Sequence, residues 1–162
     1  MRWSGTDQPV LVVGYGNSLR RDDGAGLVLA RELVDTWQEH GLPATLLAAH
    51  QLSPELAEDI AQSGAQLVLF VDAEESNEPA GAHIELVQLD TGHISPALGH
   101  HLTPAVVMVY AGELYAYEGS AWLCAVPGTD FAHGEGLSEP TQAWLDAFLA
   151  QWKDIWQDLQ FS

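Results

Sequence analysis

The sequence predicts an α/β fold, a mostly parallel sheet of about five strands covered by helices. Three observations predict it. Short apolar runs alternate with stretches whose apolar residues recur every three or four positions. Turn and cap residues separate the two kinds of segment. No internal repeat, low-complexity block or long linker divides the 162 residues, so one domain spanning residues 1–162 is expected.

Taken in order, Val10-Leu11-Val12-Val13 is a continuous, β-branched apolar run and reads as a central strand buried on both faces. Gly14-Tyr15-Gly16-Asn17 breaks it. From Gly24 to about His40, the spacing of Leu27, Ala30, Leu33, Val34 and Trp37 predicts a helix, stopped by Gly41 and Pro43. Thr45 to Ala49 is a weaker second strand. Ser53-Pro54-Glu55 opens a helix that carries Leu56, Ala57 and Ile60 and ends near Gly64. Leu67 to Val71 is another buried strand, closed by Asp72. After a loop containing Asn77-Glu78-Pro79-Ala80-Gly81, residues 82–89 alternate as a half-buried edge strand does. Thr91 to His101 is loop-like. Thr103-Pro104 starts a helix to about Tyr115, and Trp122 to Val126 is a further strand, stopped by Pro127-Gly128. One last helix is expected from Ser138-Glu139-Pro140 onward, with Trp144, Leu145, Phe148, Trp152, Ile155, Trp156 and Leu159 as a core-facing stripe.

Composition narrows the function. Apolar residues make up 47% of the chain, enough for a real core. The single cysteine, Cys124, excludes an internal disulfide and reads as inert core. No apolar run reaches the length of a membrane span. The short polar start lacks the order of a signal peptide, so a cytoplasmic location is expected. With 23 acidic residues against 5 basic, the net charge of −18 repels phosphate backbones and anionic membranes. Neither nucleic acid nor a membrane is therefore an expected partner. No apolar stripe is left over once the core is assigned, so a monomer is expected.

The distinctive segment is Gly14-Tyr15-Gly16-Asn17-Ser18-Leu19-Arg20-Arg21-Asp22-Asp23-Gly24-Ala25-Gly26. Its first residues invite a dinucleotide-binding reading, which fails twice. Leu19 stands where a third small residue is needed, and Asp22-Asp23 would repel a pyrophosphate from the helix N-terminus. Two adjacent carboxylates in a glycine-flanked turn suit a cation instead. One of them is expected to cap the helix, leaving the other free to face the cleft. Neither Gly-x-Ser-x-Gly nor His-Glu-x-x-His is present, which disfavours conventional serine and zinc proteases.

The same segment, following a first strand, resembles the opening signature of the endopeptidases that mature NiFe hydrogenases. The His50-Gln51-Leu52-Ser53-Pro54-Glu55-Leu56 segment resembles the subgroup that serves cytoplasmic, soluble hydrogenases. The resemblance implies a three-layer α/β/α fold with a twisted sheet between two helix layers. It implies three metal-binding and catalytic positions, Asp23, Asp72 and His100, with His101 the neighbouring alternative to His100. Such a set, one imidazole with two carboxylates, suits a borderline divalent ion and leaves coordination positions open. The implied activity is removal of a short C-terminal peptide from a hydrogenase large-subunit precursor after nickel insertion, the nickel being supplied by that substrate. The alternative is a nickel chaperone or maturation scaffold without peptidase activity, against which the absence of histidine-rich tracts weighs. His50 is either a site residue or a helix-start residue. Asn17 either orients backbone or substrate or is a plain turn residue. His83, His93 and His133 read as surface or loop histidines.

Overall fold

The computed structural model describes residues 7–76, 83–91 and 102–161. Five strands form one sheet in the order β2-β1-β3-β5-β4. Strand β1 (Val10–Tyr15) is buried along its whole length, as its unbroken apolar sequence requires. It pairs in parallel with β2 (Ala44–Ala49) on one side and β3 (Leu67–Glu75) on the other. Strand β3 pairs in parallel with β5 (Ser120–Gly128). Strand β4 (Glu85–Gln88) closes the sheet antiparallel to β5. It is the expected edge strand, shorter than its alternation implied.

Helices cover both faces. On one side lie α1 (Ala25–Glu39), α4 (Glu139–Leu149) and α5 (Trp152–Gln160), packed over Val10, Val12, Leu69, Val71, Cys124 and Val126. On the other lie α2 (Glu55–Gln62) and α3 (Pro104–Tyr115), packed over Leu11, Val13, Tyr15, Val68 and Phe70. The two apolar sets alternate along each central strand, which is the period of two expected of β-structure. Trp37 and Trp156, both fully buried, meet edge to face with ring centroids 5.0 Å apart, an arrangement that contributes about 0.5–1.5 kcal/mol beyond area burial.

Sequence signals set most of the boundaries. Thr103 caps α3, its hydroxyl accepting from the Val106 amide at 3.2 Å, and Pro104 takes the first helical position. Gly41, at φ +75°, follows α1. The C-terminal stripe departs from expectation. It is divided between α4 and α5, with the chain turning at Ala150 and Gln151, where Gln151 adopts φ −98°, ψ 24°. The break lets the Trp152 carbonyl accept from the Trp37 indole N–H at 3.0 Å while Ile155, Trp156 and Leu159 stay buried. The stripe is core, as expected, but it serves two helices.

The order β2-β1-β3 has a functional consequence. From β1 the chain runs through α1 on one face to β2, then returns through α2 on the opposite face to β3. The two connections part between the carboxyl ends of β1 and β3, the position where open α/β sheets leave a crevice for ligands.

Candidate functional site

The loop leaving β1 folds back on itself around Asp23. Gly16 adopts φ +143°, and a Cβ there would lie 2.1 Å from the Asp23 carbonyl oxygen, so only glycine fits. The Asn17 amide donates to Asp23 Oδ2 at 2.9 Å. Asn17 Oδ1 in turn accepts from the Leu19 amide at 3.0 Å, a local turn closed by the side chain. Asn17 is therefore the turn residue, and its amide also orients the Asp23 carboxylate. Among the non-glycine residues of this loop, Arg21 takes the left-handed conformation, at φ 45°.

Neither Asp22 nor Asp23 caps a helix by its side chain, contrary to expectation. Asp22 is fully buried and binds the loop that follows β5. Its carboxylate accepts from the amides of Thr129 at 2.8 Å, Asp130 at 2.9 Å and Ser138 at 2.7 Å, and from the Ser138 hydroxyl at 2.7 Å. Burial pushes the Asp22 carboxyl up, but these hydrogen bonds to its charged form outweigh burial and hold it down at about 2. The two arginines reinforce the clasp. Arg21 pairs with Asp130 at 2.7 Å, and Arg20 Nε donates to the Phe131 carbonyl at 3.2 Å. Because β3 lies between β1 and β5, this clasp carries the 3-10 turn Arg21–Gly24 across the carboxyl end of β3. The expected cap is thus replaced by a clasp, made by Asp22.

Asp72 lies beneath that turn. Strand β3 does not end there as expected; it continues beside β5 to Glu75, while its pairing with β1 stops at Gly14 opposite Val71. Asp72 thus sits where β1 has peeled away. Gly26 makes the close approach possible, since a Cβ there would meet the Val71 carbonyl at 2.5 Å and the Asp72 Cα at 3.0 Å. Burial raises the Asp72 carboxyl to about 6, and the negative charges of Glu74 and Asp23 add to the rise. An interaction with the Tyr15 hydroxyl and the Ala73 amide opposes it. No cationic side chain among the described residues contributes to keeping Asp72 ionised. Among the described residues the donor set is thus oxygen-rich and without a cationic partner, which suits a cation.

The sequence-derived Asp23 and Asp72 are therefore close enough to feel each other's charge on one sheet edge. His100, with its alternative His101, and also His93, lie outside the described residues. Among the described residues no group of three His, Cys, Asp or Glu side chains could hold a metal ion. His50 is exposed and directly follows β2 on the same edge, where the preceding Ala49 carbonyl accepts from the Gly16 amide at 3.3 Å. His83 pairs with Glu85 at 2.9 Å, and His133 is exposed. Cys124 is buried, and burial pushes its thiol up. Two residues beside Asp72 escaped sequence reasoning, Tyr15 and Glu74. Glu74 was legible from the period of two, which sets it on the same face as Asp72. Tyr15 needed the strand register.

No family model and no curated protein matches the chain. Solved structures do. The NiFe hydrogenase maturation protease HycI of Thermococcus kodakarensis superimposes with a TM-score of 0.64 at 20% identity, over 94% of this chain and 95% of that one. The hydrogenase maturating endopeptidase HybD of E. coli gives 0.61 at 20% identity, over 93% of each chain. The hydrogenase 2 maturation peptidase of a Thaumarchaeota archaeon gives 0.59 at 20% identity, over 96% of this chain and 100% of that one. The chain shares their fold. The three-layer arrangement expected from the resemblance is present among the described residues.

Proposed function

We propose that this chain is an endopeptidase that removes a short C-terminal peptide from a NiFe hydrogenase large-subunit precursor after nickel insertion. One observation carries the reading. Within a fold shared with hydrogenase maturation proteases, Asp23 and Asp72 lie at the crevice between β1 and β3, close enough to feel each other's charge, with no cationic side chain among the described residues acting on Asp72.

The nickel belongs to the substrate. Asp23, Asp72 and His100 are the residues that would reach it, and its charge would draw them to the one peptide bond lying beside it. Hydrolysis adds water across that bond, oxygen to the carbonyl carbon and a proton to the leaving nitrogen. A carboxylate has two oxygens, so one can face a metal while the other accepts a proton from water. Asp72, held up at about 6, is ionised at neutral pH yet more basic than an ordinary aspartate, which is the poise a general base needs.

The test is cleavage of nickel-loaded and nickel-free precursor from the same source, scored by mass spectrometry. Loss of one defined C-terminal peptide from the nickel-loaded form alone is expected. Cleavage of neither form, together with tight nickel binding by the isolated protein, would replace the peptidase with a nickel chaperone.

A further inference from the structure

Tyr15 occupies the second position of the glycine turn, and nothing in the reading above uses it. It is the last residue of β1, and Asp72 follows Val71 on β3 just past the last β1–β3 pair, Gly14–Val71. Adjacent parallel strands are about 4.8 Å apart, and laterally paired side chains share a face. Leu11, Val13 and Tyr15 pack on the α2/α3 side with Val68 and Phe70, so the alternation continues to Asp72 on that side.

Two facts about the phenol matter. It is 7% exposed, and among the described residues its oxygen has no well-formed hydrogen-bond partner. The Asp72 carboxyl on the same face acts on the phenol, and the phenol in turn acts on the carboxylate. A buried hydroxyl without a good partner destabilises a fold, and phenylalanine would fill the same apolar site without that cost.

We propose that Tyr15 is a positioning residue for Asp72: its hydroxyl donates to one carboxylate oxygen and turns the other toward the substrate. A neutral phenol suits the task, because it can only orient and steady the carboxylate without cancelling its charge. Groups that orient ligating side chains in this way typically change metal affinity or activity by about 10–100-fold when removed. The inference rests on the proposed peptidase site, and its test separates the two.

The full-length protein, Tyr15→Phe and Asp72→Asn would be compared on nickel-loaded precursor, with thermal melting measured alongside. Tyr15→Phe is expected to melt at the wild-type temperature or above it, and to cut at least about tenfold more slowly through kcat, with KM little changed. Tyr15→Phe at the wild-type rate, with Asp72→Asn inactive, overturns the role of Tyr15 and leaves the site standing. A Tyr15→Phe protein that melts several degrees lower and loses activity in proportion also overturns it, since the hydroxyl would then be structural. Asp72→Asn at the wild-type rate removes the site itself.

Discussion

At the scale of single residues, Asp22 and Asp72 are opposites, and pH separates them. Asp22 has a folded-state value of about 2, below that of an unfolded aspartate. Its stabilisation is therefore full above about pH 4 and is lost as pH falls toward 2, and the shift corresponds to about 2 kcal/mol. Asp72 is raised to about 6, so its contribution runs the other way, favouring the fold below about pH 4 and fading as pH rises through 6. Two outcomes are expected. Asp72→Asn should melt higher than wild type at pH 7, by the equivalent of about 1 kcal/mol after allowance for solvent screening, and should lose that advantage at pH 4. Asp22→Asn should cost about 2–4 kcal/mol at pH 7, because an amide NH2 would replace an acceptor among three backbone amides and the hydroxyls of Ser138 and Thr141. Denaturant titrations at the two pH values measure both, and an Asp72→Asn protein less stable than wild type at pH 7 would refute the first. Asp23 and Asp72 stand out in the sequence because a glycine-flanked motif holds the first and the end of an apolar run the second. It could not disclose the clasp, whose partners lie more than 100 residues from Asp22, nor the contact between Tyr15 and Asp72, which exists only once β1 and β3 are in register.

At the scale of elements, the decisive packing is the N-terminus of α1 on the ends of β1 and β3. Gly26 and Gly112 are both helical glycines, and they predict opposite results for the same substitution. Gly26→Ala drives a methyl group against the Val71 carbonyl at 2.5 Å and the Tyr15 carbonyl at 3.0 Å, both backbone atoms that cannot swing away. It should cost about 1–3 kcal/mol and lift the Asp23 turn off Asp72, so cleavage should fall with stability. Gly112→Ala meets only the Tyr117 carbonyl, at 3.6 Å, and should stabilise α3 by about 0.5–1 kcal/mol. Melting curves of the two variants decide it, and equal effects of the same sign would refute the packing argument. Element types and most boundaries were readable from periodicity and caps, Thr103-Pro104 being the clearest case. The division between α4 and α5 was not, because Ala150 and Gln151 carry no breaker signal. That turn is imposed by packing, with Trp37 donating to the Trp152 carbonyl and Trp156 filling the layer beneath.

At the scale of the whole molecule, the charge of −18 has few local compensations. Of the 5 basic residues, Arg20 and Arg21 are committed to the loop after β5. Most carboxylates therefore face one another through solvent, and the folded state concentrates that repulsion more than the expanded chain does. Salt should relieve it. Raising ionic strength from about 0.01 M to about 1 M shortens the screening length from about 30 Å to about 3 Å, which removes long-range repulsion while leaving the buried Asp22 hydrogen bonds intact. The melting temperature is accordingly expected to rise with sodium chloride, by several degrees over that range, at pH 7. At pH 4 many carboxylates are protonated and the gain should shrink. Differential scanning calorimetry at both pH values measures it. A melting temperature that fell with salt at pH 7 would mean that local ion pairs outweigh the global repulsion. The same acidity bears on the partner. If the proposed precursor presents a basic surface to this charge, the association rate should fall as salt rises even while the protein itself becomes more stable, so stability and the proposed cleavage should move in opposite directions across one salt series.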